Sequence, residues 1–435
     1  MVDSTPPPSR ASSPSPSRSK SSSPTPEDDL SQTPSATAPS PSPSPTHSPT
    51  TSTATTEKPP LVLVTGGTGF LAKWVIATLL RSPTPYRIRT TIRTPSRIDE
   101  IKSCLLEAGI PEHLISTLEF THADLSSNDG WTTALKDVSY VQHIASPFPA
   151  HPPKDEYDLI IPAVEGTKRV MRAARDAGVK RVVLTSSFAA IAYGARHVGR
   201  DSNVPIIEDD WTDLSKPRIV PAYAKSKTLA ERAAWEIVES REGALKSRSG
   251  SGSRSPSTFA SGSGSGTGPG STMELVVINP VNIYGPALGR EDSTTFRSIS
   301  EFLDGNAPGI PRVQYGVVDV RDCTELHVLA MTHASAPGER FICIGEESLW
   351  MEDMAKILKK NLGEKAKKVP TMVLPDMLVR GVGMFMPVAR LLAADLGVHR
   401  VISGQKAREM LGWETKYGNE EAIMAAAESI LKFNT

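Results

Sequence analysis

The feature that most constrains the fold is a short apolar run ending in a cluster of glycines, "PLVLVTGGTGFLA". The run has the length of a buried strand, and "WVIATLL" after it has helical length and periodicity. Small residues at Gly66, Gly69 and Ala72 allow a tight turn and a close approach of the backbone to a pyrophosphate. The N-terminus of the following helix would supply N–H groups and a positive dipole end. The pattern predicts a dinucleotide site at this first strand–helix junction.

Strand-like and helix-like segments alternate after this turn. The strand-like segments include "YRIRTTIR", "LEFTHAD", "SYVQHIAS", "RVVLTSS" and "MELVVINP". Such an order predicts βαβ units, and therefore an α/β fold with a doubly wound parallel sheet of the Rossmann type. We expect this domain to span residues 58–285. A smaller, mostly helical substrate-binding lobe is expected at residues 286–435.

Two segments have low complexity. Residues 1–57 are almost entirely Ser, Pro and Thr, so they cannot bury enough apolar surface to offset the entropy of ordering. We predict a disordered tail there; a phosphorylated or Pro-motif docking tail is the alternative. The Gly/Ser tract at residues 246–272 predicts a disordered insertion within the first domain, because loop closure becomes only slowly more costly with length.

Composition excludes several classes of protein. The 435 residues carry a formal net charge of zero, which argues against a nucleic-acid binder. No apolar run reaches about 18 residues, and the N-terminus lacks an apolar signal region, so we expect neither a membrane span nor secretion. The three cysteines, Cys104, Cys323 and Cys343, are scattered without metal-ligand spacing. They predict buried thiols in a cytoplasmic protein without a metal.

The end of the second strand bears on the choice between NAD and NADP. "TIRTPSR" places Arg93 where NAD-binding proteins carry a carboxylate for the ribose hydroxyls. A guanidinium there suits the 2′-phosphate of NADP(H), with a solvated surface arginine as the alternative. Asp124, in "HADL" after the third strand, is expected to contact the adenine amino group.

A phenol and an ammonium share one face of a later helix, in "YAKSKTLAERAAWE". Tyr223 and Lys227 are four residues apart, whereas Lys225 points elsewhere and is expected to be solvated. The ammonium can stabilise a phenolate, which makes the phenol a usable general acid. Ser187, at the end of "VVLTSS", can donate a hydrogen bond to a carbonyl oxygen. Together these groups predict protonation of an oxygen while a hydride reaches the attached carbon.

These motifs, taken in order, resemble the extended short-chain dehydrogenase/reductase family. The resemblance is closest to its dihydroflavonol reductase, cinnamoyl-CoA reductase and yeast-type ketone or methylglyoxal reductase group. The matching segments are "VTGGTGFLA", "TIRTPSR", "HIASPFP", "LIIPAVEGTKRV", "RVVLTSSFAA", "YAKSKTLAERAAWE", "VINPVNIYGP", "VVDVRDCTELH" and "KAREMLGW".

The resemblance implies NADPH in the crevice at the carboxyl ends of the strands, and a catalytic triad of Ser187, Tyr223 and Lys227. It implies a structural role for Ser186. For Asn279 a plain turn hydrogen bond is an equal alternative to a place along the cofactor. The residues expected to bind the cofactor are Thr65, Gly66, Thr68, Gly69, Phe70, Leu71, Arg93, Asp124, Leu125, Ala145, Ser146, Tyr223, Lys227, Pro280 and Val281.

The expected reaction is NADPH-dependent reduction of an aldehyde or ketone to an alcohol. The walls of the substrate pocket are expected to include Phe148, Phe188, Tyr193 and Tyr284, which suit a hydrophobic or aromatic carbonyl compound or simply pack the core. An NAD(P)-dependent sugar-nucleotide epimerase or hydroxysteroid-type dehydrogenase is one alternative. A non-catalytic NADP-binding regulatory protein is another. We expect a monomer or a homodimer.

Overall fold

A computed structural model describes residues 58–147, 155–194, 197, 201, 203–248, 272–384 and 395–433. The tail predicted as disordered (residues 1–57) and the predicted pocket residue Phe148 lie outside the described residues. So do residues 249–271, most of the predicted Gly/Ser insertion. The helix before that insertion continues to Arg248, because "EGALKSR" is rich in helix-forming residues. Helix α6 thus overlaps the first residues of the predicted insertion, whose bounds stay a prediction.

Strands occur along the whole described chain. Their bounds are β1 (Leu61–Val64), β2 (Arg87–Ile92), β3 (Glu119–His122), β4 (Val138–His143), β5 (Arg181–Thr185), β6 (Glu274–Pro280), β7 (Asn282–Tyr284), β8 (Gln314–Tyr315), β9 (Val317–Asp319), β10 (Arg340–Cys343) and β11 (Leu349–Trp350). Seven of them form one parallel sheet in the order β3-β2-β1-β4-β5-β6-β10. The prediction of a doubly wound parallel sheet is confirmed.

The helices connect and cover these strands. Their bounds are α1 (Phe70–Leu80), α2 (Ile98–Glu107), α3 (Glu112–Ile115), α4 (Trp131–Ala134), α5 (Tyr157–Asp176), α6 (Ala222–Arg248), α7 (Thr294–Asp304), α8 (Val320–Thr332), α9 (Met351–Leu362), α10 (Asp376–Gly383), α11 (Gln405–Leu411) and α12 (Asn419–Phe433). Within the described part of the chain, none of these helices is both long and apolar enough to cross a bilayer.

Strand β1 shows why the sequence reads as an unbroken apolar run. Its Val62 and Val64 pack in a core with α1, α2 and α8, while Leu61 and Leu63 pack in a second core with α4, α5 and α6. All four side chains are at most 1% exposed. A strand covered by helices on both faces has no polar side to alternate with, as is typical of parallel sheets.

The C-terminal part of the chain both extends the sheet and builds a separate core. Strand β10 pairs with β6 at the sheet edge, and α8 packs on α1 with the Thr78 and Thr324 hydroxyls 3.0 Å apart. Helices α7, α9 and α12 surround another apolar core, together with the two small sheets β7–β9 and β8–β11. The division of the chain at residue 285 stays a prediction, to which the structure adds that the later segment returns to the main sheet.

Candidate active site

The glycine turn between β1 and α1 is held in a conformation that side chains would obstruct. Gly66 adopts φ +73°, and a Cβ atom there would lie 2.9 Å from the Cβ of Ala145. A Cβ on Gly67 would lie 2.3 Å from the Oγ1 of Thr90. The N–H of Gly69 donates to the carbonyl of Gly66 at 2.9 Å and closes the turn. Gly67, which sequence reasoning passed over within "TGGTG", is therefore required for close packing on β2.

Thr65 supports this turn from below. Its side chain is fully buried, and its Oγ1 accepts hydrogen bonds from the N–H groups of Ile144 (3.0 Å) and Ala145 (2.9 Å). Because both acceptor positions are used, the hydroxyl hydrogen is donated to Nδ1 of His143 at 3.0 Å. Complete burial, reinforced by Lys227, lowers the pKa of His143 to about 3, so this imidazole is neutral. Thr65 therefore joins the ends of β1 and β4.

A cleft of about 620 Å³ opens at the carboxyl ends of the strands, above β1 and β4. This is where the order of a doubly wound sheet reverses and where such sheets bind dinucleotides. Ten residues predicted to bind the cofactor line it: Gly66, Thr68, Gly69, Phe70, Leu71, Arg93, Asp124, Leu125, Ala145 and Ser146. The prediction did not include Thr91, Ile92, Ala123, Ser126, Trp131, Ile144, Pro147, Asp158, Leu159, Pro162 and Thr185, which also line the cleft.

Arg93 and Asp124 both line this cleft. Burial acts to raise the pKa of Asp124, but the Ser126 N–H and hydroxyl, each 2.7 Å from Oδ1, and the nearby charge of Arg93 give a net lowering. Arg93 itself is exposed. The guanidinium of Arg97 instead makes two hydrogen bonds of 2.7 Å to Glu100 on α2. The described geometry thus leaves Arg93 as the cation facing the cleft from β2.

The two serines after β5 have different surroundings. Ser187 has an extended backbone and begins a short 3-10 helix, with its Oγ accepting from the N–H of Ala189 at 3.1 Å. Ser186 is 5% exposed and donates through Oγ to Oε2 of Glu231 at 2.5 Å. A hydroxyl engaged with a buried carboxylate has a structural environment, in keeping with the expectation for Ser186.

Tyr223 and Lys227 lie one turn apart at the start of α6. The Lys227 Nζ is 5.9 Å from the centre of the Tyr223 ring and donates to the Ser146 Oγ at 3.1 Å. Lys227 is 9% exposed and Tyr223 is 38% exposed. Since Ser146 lines the cleft, Lys227 connects the phenol to the predicted cofactor site.

Lys225 corrects one expectation. Instead of being solvated, the residue is 7% exposed and its Nζ is bound by Glu156, the residue before α5. Helix α6 packs on α5, and the contact with Glu156 lies beside this packing. A lysine buried there requires an anionic partner, and Glu156 provides it.

At the end of β6, Asn279 and Pro280 pair with β10, one residue past the last β5 pair of Thr185 with Ile278, and Val281 follows the strand. Asn279 is fully buried, and its Nδ2 donates to the carbonyl of Ser187 at 3.1 Å and to Oε2 of Glu231 at 2.9 Å. It joins two elements instead of closing a local turn. Pro280 and Val281 lie outside the lining of the cleft described above.

The described residues predicted for the substrate pocket do not all share one environment. Phe188 belongs to the 3-10 helix after Ser187, and the hydroxyl of Tyr193 donates to Oδ2 of Asp395 at 3.3 Å. Burial, with Asp395 adding to it, raises the pKa of Tyr193. Tyr284 is 1% exposed within the core around α7, α9 and α12, where burial raises its pKa to about 12. The structure therefore places Tyr284 in the core and not on an open wall.

Comparison with known proteins gives the family. The model of the NAD dependent epimerase/dehydratase family matches residues 62–345. The chain belongs to this family. The match covers well over half of the chain and confirms the resemblance drawn from the motifs.

Several proteins of similar sequence are reductases by name. A cinnamoyl-CoA reductase of Medicago truncatula is 30% identical over 305 residues, covering 69% of this chain and 80% of that protein. The NADPH-dependent methylglyoxal reductase of Saccharomyces cerevisiae is 26% identical over 390 residues, covering 86% and 98%. The crystal structure of Gre2 from Candida albicans in complex with NADPH matches with a TM-score of 0.65 at 25% identity, covering 87% of this chain and 100% of that one.

Proposed function

We propose that this family member is an oxidoreductase that uses NADPH to reduce an aldehyde or ketone to an alcohol. The observation that carries the proposal is the contact between Lys227 and Ser146. It supports the proposal because Ser146 lines the cleft proposed for the dinucleotide, and Thr185, at the end of the strand that precedes Ser187, lines it too. The reductase names of the relatives support the same class of reaction.

The cleft has the features that NADPH needs. Glycines at the turn let the backbone approach a pyrophosphate, and the N-terminus of α1 points its N–H groups toward the same place. Arg93, exposed at the end of β2, supplies a positive charge for the 2′-phosphate, which NADH lacks. The NADPH bound to the similar Gre2 structure supports this choice of cofactor.

In the proposed mechanism the carbonyl oxygen accepts hydrogen bonds from the hydroxyls of Ser187 and Tyr223. When bound, NADPH supplies the hydride for the carbonyl carbon. Tyr223 gives its proton to the oxygen as negative charge develops there. Lys227 stabilises the phenolate that remains, and the fixed hydroxyl of Ser187 stabilises the developing alkoxide. The hydroxyls of Ser187 and Tyr223 act on the same carbonyl oxygen, so the mechanism needs these two hydroxyls at a fixed separation.

The substrate side of the site is aromatic and partly polar. Phe188 follows Ser187, and Tyr193 lies near Asp395 and Arg400, whose guanidinium is 5.4 Å from the ring centre. We infer a carbonyl compound with an apolar or aromatic body. A cytoplasmic location belongs to the same proposal, since the three cysteines are free and buried.

A cofactor and substrate panel tests the proposal. Purified protein is incubated with aliphatic and aromatic aldehydes and ketones and with either NADPH or NADH. Loss of reduced cofactor is followed by absorbance, and the alcohol is quantified by chromatography. We expect one alcohol per NADPH consumed and much slower turnover with NADH. Consumption of NADPH without alcohol, or no consumption with any carbonyl, would contradict the proposed function.

A further inference from the structure

A buried carboxylate joins the helix that carries Tyr223 and Lys227 to the strand end that carries Ser187. We propose that Glu231 is a positioning residue that sets the distance between the Ser187 hydroxyl and the Tyr223 phenol. The proposal rests on the proposed function, because that mechanism requires both hydroxyls to reach one oxygen. Glu231 is 1% exposed and does not line the cleft described above, so it acts through other residues.

Glu231 contacts the serine segment by two routes. Its Oε2 accepts a hydrogen bond from the Ser186 hydroxyl at 2.5 Å. The same oxygen accepts from Nδ2 of Asn279 at 2.9 Å, and that Nδ2 also donates to the Ser187 carbonyl at 3.1 Å. Hydrogen bonds to an ionised carboxylate are short and strong. Glu231 therefore holds Ser186 directly and the backbone of Ser187 through one intermediate.

Arg340 fixes the carboxylate from its other side. Its Nε donates to Oε1 of Glu231 at 2.6 Å, and the two side chains are 9% and 0% exposed. Its Nη1 donates to the carbonyls of Glu208 (2.6 Å) and Asp210 (2.9 Å). The guanidinium also lies 3.8 Å from the ring centre of Trp211. The ion pair thus links α6, β10 and the loop at 208–211.

Thr212, the residue after that loop, contacts the far end of the short turn that begins at Ser187. The hydroxyl of Thr212 donates to the Ala189 carbonyl at 2.7 Å, and the N–H of Thr212 donates to the Ala190 carbonyl at 2.9 Å. The turn that begins at Ser187 is therefore fixed before the serine by Glu231 and after it by the loop that Arg340 holds.

The place of Glu231 on α6 makes this arrangement relevant to catalysis. Glu231 follows Lys227 by one turn and Tyr223 by two, so the three residues share a helix face. Lys227, Glu231 and Ser186 line one narrow cavity. A shift of Glu231 relative to Ser186 would change the separation of the two reacting hydroxyls, and a misplacement of about 1 Å can reduce a rate by about 10²-fold.

The test compares two carboxylates that each form an ion pair with an arginine of the main sheet. Glu231→Gln keeps the shape of the side chain and removes its charge. Glu274→Gln is the matched control, because Glu274 binds Arg181 at 2.6 Å at the opposite ends of β5 and β6. We expect Glu231→Gln to lower kcat by about 10- to 100-fold with the Kd for NADPH within about 3-fold of wild type. Glu274→Gln should keep kcat. Equal kcat for the two variants would overturn the proposal.

A double-mutant cycle separates positioning from general stability. If Glu231 acts by placing Ser187, its substitution should cost little once the Ser187 hydroxyl is gone. We expect Glu231→Gln to lower kcat less than about 3-fold in a Ser187→Ala background. A full additional loss in that background would show that Glu231 acts elsewhere. If Glu231→Gln does not fold, Ser186→Ala and Asn279→Ala each remove one of the two routes, and wild-type kcat in both would contradict the proposal.

A measurement without turnover keeps this proposal apart from the proposed function. Hydrogen exchange of the amides of Ala189 and Ala190 reports on the serine turn in the protein without substrate. We expect faster exchange there in Glu231→Gln than in wild type or Glu274→Gln, and unchanged exchange in Glu231→Gln would overturn the positioning role. Wild-type protein that reduces no carbonyl would contradict the proposed function, while the exchange result would still decide whether Glu231 fixes this turn.

Discussion

The Nζ of Lys227 lies 5.9 Å from the centre of the Tyr223 ring, one turn further along the same face of α6. Lys227 also reaches Ser146 at the wall of the cleft. One ammonium therefore faces both the phenol and the place proposed for the cofactor. This relationship connects the two halves of the proposed reaction, proton donation and hydride transfer, and the predictions below depend on it.

Replacing Lys227 should affect catalysis and cofactor binding together. Lys227→Met removes the charge that stabilises the phenolate and the donor at the cleft wall, so we expect kcat to fall by about 10²-fold or more and the Kd for NADPH to rise. Lys225→Met is the control, because Lys225 binds Glu156 on the other side of α6. It should lower the free energy of unfolding by about 1–3 kcal/mol while keeping kcat. Steady-state kinetics and chemical denaturation measure both.

Arg93 should determine the preference for NADPH over NADH. Arg93→Gln removes the positive charge that the 2′-phosphate would meet, so the KM for NADPH should rise by about 10- to 100-fold while that for NADH changes little. Lys102→Ala, which removes an exposed cation of α2, should leave both values unchanged. An unchanged NADPH preference in Arg93→Gln would place the phosphate elsewhere.

Gly67 should be intolerant of any side chain. The Oγ1 atom that its Cβ would meet at 2.3 Å belongs to Thr90, a β-branched residue whose hydroxyl donates to the Val64 carbonyl at 2.9 Å. Since Thr90 cannot move freely, Gly67→Ala should distort the turn, lowering Tm and weakening NADPH binding. Gly381→Ala on α10 is the control, because among the described residues no atom outside its chain neighbours and its own helix backbone lies within 4 Å of the new Cβ. Equal Tm and NADPH affinity in the two variants would refute the argument.

His143 should make the protein less stable in acid. Its pKa is lowered to about 3 by burial and Lys227, against an ordinary value of 6.5, so the folded state keeps it neutral. The contribution of the neutral imidazole to the free energy of unfolding is fully present above pH 6.5. It is lost as the pH falls from 6.5 toward about 3, at up to about 1.4 kcal/mol per pH unit for one proton. His143→Gln should lose stability less steeply over this window. Denaturation midpoints at several pH values measure the difference, and equal slopes would contradict it.

Local sequence was sufficient for the sheet and the cleft, because apolar periodicity and the glycine turn are set by neighbouring residues. The same is true of the Tyr223–Lys227 pair, whose spacing on a helix fixes its geometry. The prediction that Lys225 is solvated was wrong, because its partner, Glu156, comes from a segment 69 residues away and could not be found from local sequence. The burial of Tyr284 likewise depends on a core built by helices that come later in the chain.

The network around Glu231 could not be predicted from local sequence for the same reason. Its ion-pair partner Arg340 is 109 residues further along the chain, and Asn279 is 48 residues further. No spacing rule relates such residues, so only the arrangement of β5, β6 and β10 around α6 brings them together.

The central claim is that Tyr223 protonates the carbonyl oxygen beside bound NADPH. Single-turnover oxidation of enzyme-bound NADPH on mixing with an accepted aldehyde or ketone tests it most directly. The control is Tyr157→Phe, which alters an exposed tyrosine on α5. We predict that Tyr223→Phe binds NADPH with a Kd within about 3-fold of wild type but oxidises it about 10²- to 10⁴-fold more slowly, whereas Tyr157→Phe matches wild type. A wild-type rate of NADPH oxidation in Tyr223→Phe would contradict the account.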